Sequence, residues 1–214
     1  MLGTDDRLHL SMRNPHMKFF TPKYVDELRK KVSLKVTELL DEIAPLGKCN
    51  LVDSISSELP IFSLSEILGV PEEDRSKIKE WMTFLEMAQV VGATQAAAKN
   101  NIELNKDQQA SAPDPAMIAM FTNIVKEMFD YGREILLKRR KDPKDDLLSV
   151  IANMEIEGKK LPDEYLDGSW LLIIIAGNET TRNSISGTIK LLTENPDQKE
   201  KLISHMELLP NITH

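Results

Sequence analysis

Residues 170–182 read WLLIIIAGNETTR. Leu171 to Ile175 are apolar whichever way a helix turns, so the stretch predicts a helix buried on every side. Gly177 then interrupts it. A glycine inside a helix costs about 1 kcal/mol against alanine, and it admits a ligand or a loosened turn. Glu179 and Thr180 follow, where packing alone would ask for leucine. A buried carboxyl must be paired, hydrated or neutral. A hydroxyl beside it can hold a water, so an acid and an alcohol on a loosened turn form a proton-delivery arrangement. The same residues admit a structural reading, in which Thr180 and Thr181 bond back to helix carbonyls and Glu179 pairs with Arg182 or Arg13.

Outward from this stretch the helix predicts its own limits. Pro162-Asp163-Glu164 opens it, and Asn195-Pro196-Asp197 stops it, giving a helix from Glu164 to about Thr193. The rest of the chain is also mostly helical. Thr21-Pro22 caps a helix whose apolar face runs Val25, Leu28, Val32, Val36, Leu39 and Ile43, until Pro45 and Gly47 end it. A second pattern runs from Ile55 to Leu68 with Pro60 inside it, and Gly69-Val70-Pro71 stops it. A third begins at Pro71 and carries Ile78, Trp81, Met82, Leu85 and Met87. Between Val91 and Pro115 the pattern weakens, which predicts a lid or surface connector. Ile118 to Lys138 is a further helix, and the basic run Lys138-Arg139-Arg140-Lys141 reads as a solvated C-terminus facing the negative dipole end. Asp145 is placed as the cap of a short helix, and Ile156 to Leu161 as a small hairpin. With no internal repeat, residues 1–214 read as one helical packing unit.

Composition narrows the classes. A net charge of -7 with 29% charged residues argues against broad nucleic-acid binding. A single cysteine, Cys49, excludes an internal disulfide and fits a reducing, cytoplasmic setting. Asp5, Asp6 and Arg7 interrupt the first apolar residues, and the run Trp170 to Ala176 is too short to span a bilayer, so neither a signal peptide nor a membrane anchor is expected.

Ala176-Gly177-Asn178-Glu179-Thr180-Thr181 resembles the central-helix motif of the cytochrome P450 family, the haem-thiolate monooxygenases. The extended form through Arg182-Asn183 is similar to bacterial members that hydroxylate sterols and related long lipids. His9 and Arg13, followed by Phe20-Thr21-Pro22, resemble the family's His-x-x-x-Arg helix. The stretches ending at Pro71, leading from Asp145 to Glu164, and around Asn195-Pro196 and Leu209-Pro210-Asn211 agree with it. The resemblance implies a mostly α, partial P450 fold around a long central helix, covering an internal portion of the family's length. It implies haem b, with His9 and Arg13 on the propionates and Ala176 and Gly177 against the haem face. It gives Glu179 and Thr180 the delivery of protons to bound oxygen, and Ile173 and Asn178 contact with substrate. An electron donor of ferredoxin type and an apolar substrate follow from the same resemblance.

The departures carry equal weight. Most of the family's sheet and the loop whose cysteine ligates iron have no counterpart here. Cys49 cannot serve, because it precedes the central helix. The chain is therefore expected to hold no metal ligand of its own and not to turn over unaided. Part of a haem monooxygenase is one reading. An inactive P450-like helical protein, binding a lipid or partner and prone to associate through an apolar face, is the other.

Overall fold

The computed structural model describes residues 6–99 and 115–211. These form eight helices: α1 (Asp6–Arg13), α2 (Pro22–Ile43), α3 (Glu58–Leu68), α4 (Arg75–Lys99), α5 (Pro115–Lys141), α6 (Leu147–Asn153), α7 (Asp163–Glu194) and α8 (Pro196–Ser204). Two short strands, β1 (Glu155–Ile156) and β2 (Lys159–Lys160), pair antiparallel between α6 and α7, and they make the only sheet among the described residues. Glu157 and Gly158 both take positive φ, 54° and 74°, which closes the hairpin tightly.

The 32 residues of α7 make a rod about 48 Å long. It packs on α3 and α5 and also meets α4 and α6. Its anchor is Trp170, which is 1% exposed and donates its indole N–H to the Met128 carbonyl at 3.0 Å. Trp81, Tyr131 and Trp170 form a row of rings with centroids 5.4 and 5.7 Å apart, joining α4, α5 and α7. Gly132 permits this approach, because a Cβ there would overlap the Trp170 indole.

Pro15, just after Arg13, keeps α1 short, and the chain continues as a 3-10 turn, Asn14–Phe20. Several local expectations change in the structure. The weak segment after Val91 is helical as far as Lys99, consistent with the high helix propensity of Ala96-Ala97-Ala98. The remainder of the expected lid, 100–114, lies outside the described residues. The cap of α6 is Asp146 rather than Asp145. Asp146 Oδ1 accepts from the Ser149 amide at 2.7 Å, whereas Asp145 is exposed and meets Lys18.

Lys138 and Lys141 of the basic run are exposed, as a solvated terminus would have them, but the two arginines are not. Arg139 is 4% exposed; its Nε donates to Asp146 Oδ2 at 2.7 Å and its Nη2 to the Gly69 carbonyl at 2.8 Å. Arg140 donates to the carbonyls of Ala152 and Leu161, both at 2.8 Å, and so ties the hairpin to α5.

Gly69 caps α3 in the left-handed region, φ 78°, and a Cβ there would run into the Asp146 carboxylate. Gly69→Ala is expected to combine a left-handed backbone penalty of about 1–2 kcal/mol with overpacking of about 1–3 kcal/mol. A lower urea midpoint at unchanged slope checks this. No helix among the described residues is long and apolar enough to cross a membrane.

Candidate functional site

Successive residues on α7 turn about 100°, and this divides the motif between two sides. The inner side carries Trp170, Ile174 and Asn178, at 1%, 0% and 2% exposure. Gly177 also looks inward: a Cβ on it would come within 2.9 Å of Leu64 Cδ1 on α3. The outer side carries half-buried Leu172 and exposed Ala176 and Thr180, a stripe about 12 Å long. Gly177 and Asn178 therefore do not share the stripe of Ala176 and Thr180. Gly177 lets α7 approach α3 closely, and the Asn178 Oδ1 is buried with no hydrogen-bond partner among the described residues.

Thr180 donates its hydroxyl to the Ala176 carbonyl at 2.9 Å. That leaves its oxygen free to accept, with its proton directed along the helix. Glu179 is half-buried and accepts a long hydrogen bond, 3.4 Å, from the Gln89 amide of α4. Arg182 does not bond Glu179; it forms an ion pair with Glu86, also on α4. Of the structural alternatives for this motif, the back-bond of Thr180 is present and the Glu179–Arg182 pair is not.

Ile173 lines a cleft of about 470 Å³ between α7 and the α1 region, together with Met12, His16, Met154, Tyr165 and Leu172. His16 is a residue that sequence reasoning missed. Its Nδ1 donates to the Met12 carbonyl at 2.7 Å, and burial lowers its pKa, which favours the neutral ring and leaves Nε2 to accept. It lies in the 3-10 turn after α1, where Pro15 breaks the helical spacing that would have drawn attention to it. On α1, His9 is half-buried and Arg13 is exposed, four residues apart on one face.

The comparisons with known proteins agree on one class. No family model matches the chain. It is 32% identical over 212 residues to cytochrome P450 CYP107DY1 of Priestia megaterium, covering 99% of this chain and 46% of that protein. It is 30% identical over 210 residues to a steroid C26-monooxygenase of Mycolicibacterium smegmatis, covering 98% of this chain and 47% of that protein. The crystal structure of CYP109E1 from Bacillus megaterium in complex with testosterone superposes with a TM-score of 0.73 at 31% identity, over 98% of this chain and 51% of that one. The fold around the long helix is thus that of the cytochrome P450 class. The chain matches bacterial cytochromes P450 over nearly all of its own length and spans about half of theirs.

That class implies haem b, and the described side chains answer to it unevenly. Ala176 presents only a methyl group on the exposed stripe, and Thr180 an accepting oxygen one turn on, so a flat group would find room against that side of α7. Arg13 is a cation suited to carboxylates, and His9, one turn before it, offers a ring N–H donor. The iron ligand is not among these residues: the single cysteine, Cys49, is exposed in the turn between α2 and α3. Among the described residues no group of three His, Cys, Asp or Glu side chains gathers to hold a metal.

Proposed function

We infer that these 214 residues, taken by themselves, form a P450-like helical unit that holds an apolar molecule or a protein partner and does not turn over. The position of Cys49 carries this reading. A thiolate must face iron to tune it for oxygen chemistry, and an exposed turn ahead of α3 supplies none. The apolar walls of the α1–α7 cleft support binding of an apolar guest.

In a whole enzyme of this class the same residues would have defined work. Haem would supply the redox chemistry that activates oxygen, fed by a ferredoxin or similar donor. His9 and Arg13 would hold its propionates. Ala176 leaves space beside α7 for oxygen and substrate, and Gly177 keeps that stretch of α7 close to α3. Thr180 would hold a water through its free lone pair, and Glu179 would pass protons from solvent to that water. Ile173 shapes the apolar wall. Asn178, turned inward, would act on substrate only through the position of α7. A sterol or long lipid is the substrate class favoured by the similarity to the steroid C26-monooxygenase and to the testosterone complex.

The test is product formation. The purified chain, supplied with haem, a ferredoxin donor system and testosterone, is expected to give no singly oxygenated steroid above a free-haem control. Product well above that control, lost in Thr180→Ala, would overturn the reading.

A further inference from the structure

Arg182 lies three residues after Glu179 on α7, the spacing at which an acid and a base on one helix meet. The structure gives Arg182 to another carboxylate. Its Nη1 pairs with Glu86 of α4, and the two side chains are 23% and 26% exposed, so water screens the pair little. Three residues further along α4, Gln89 offers Glu179 a neutral amide at 3.4 Å. Within one turn, α4 thus presents an acid that takes the arginine and an amide that meets the carboxylate.

The acids of α3, which packs on α7, are already engaged. On α3, Glu58 pairs with Lys79, and Glu66 pairs with Lys31 and Arg75. None of them competes for Arg182. Asp53, on the π-helical turn against which α7 also packs, is exposed.

The chemical consequence concerns proton supply. A carboxylate bonded to a guanidinium favours its charged form and gives up a bound proton too readily to hold one in store. One facing a neutral amide can both take and release a proton. We propose that Glu86 is a positioning residue that draws Arg182 off Glu179 and so keeps the acid free to exchange protons. The proposal rests on the reading of Glu179 as the proton-delivering acid.

The test uses the full chain labelled at glutamate carboxyl carbons. The Glu179 resonance is identified by its loss in Glu179→Gln and followed across pH. Glu86→Gln is expected to move the Glu179 curve to lower pH, as the released Arg182 swings to it. Adding Arg182→Gln to that variant should return the curve to its original position. Two results would overturn the proposal: a folded Glu86→Gln variant whose curve does not move, or a double variant whose curve lies above the parent's, which would mean that Arg182 already served Glu179. If circular dichroism shows that Glu86→Gln does not fold, the double variant decides. The measurement needs neither haem nor turnover, so its outcome is separable from that of the catalytic reading.

Discussion

Arg139→Met is expected to destabilise the chain by about 3–5 kcal/mol, because it strands a buried charge. The side chains of Arg139 and Asp146 are 5% and 8% exposed, so water cannot replace the lost partner. The guanidinium also satisfies the Gly69 carbonyl at the end of α3, and the other oxygen of Asp146 caps α6. One side chain therefore joins the ends of three helices. The double variant Arg139→Met/Asp146→Asn should recover much of the loss. Asparagine is neutral, and its side-chain oxygen can still accept from the Ser149 amide. Urea unfolding of the single and double variants measures the difference. A double variant no more stable than Arg139→Met would show that the pair's charge is not what matters.

Trp170→Ala is expected to cost about 3–5 kcal/mol through the cavity it leaves. Loss of the bond to the Met128 carbonyl adds about 1 kcal/mol. For a chain of this length that is a fall in melting temperature of roughly 10 °C or more. The indole fits a slot opened by Gly132, where a side chain would overlap it. Trp170→Phe keeps most of the volume and loses the N–H donor, and it should cost clearly less. The consequence for the site is positional. Trp170 lies six residues before Ala176, and it fixes the register of α7 against α5. Thermal melts followed by circular dichroism check the order of the two variants. Equal losses in both would mean the hydrogen bond, not the volume, holds the helix.

The sequence makes α7 legible because its cues agree: an all-round apolar run, acids in the first turn after Pro162, and Asn195-Pro196 at the end. The hairpin is legible from Gly158. The roles of Arg139 and Arg140 are not. A basic run at a helix end fits the dipole argument, while the groups that claim these guanidiniums lie as far off as Gly69, 70 residues away. Asp145 and Asp146 are adjacent and equally suited to capping, and only packing selects the second. The placement of Ala176, Glu179 and Thr180 on one long helix is legible from the sequence. The inward turn of Gly177 and Asn178 follows only once the side of α7 that meets α3 is known. The engagement of Arg182 by Glu86 depends on the placement of α4, which local spacing does not encode.

The central claim is that this chain carries the acid and alcohol of α7 without a thiolate placed to hold iron. The carbon monoxide spectrum of the haem-loaded, reduced chain tests it most directly, recorded beside Cys49→Ser. The account predicts no thiolate-type band in either sample and identical spectra for the two. A thiolate-type band in the parent chain that disappears in Cys49→Ser would contradict it.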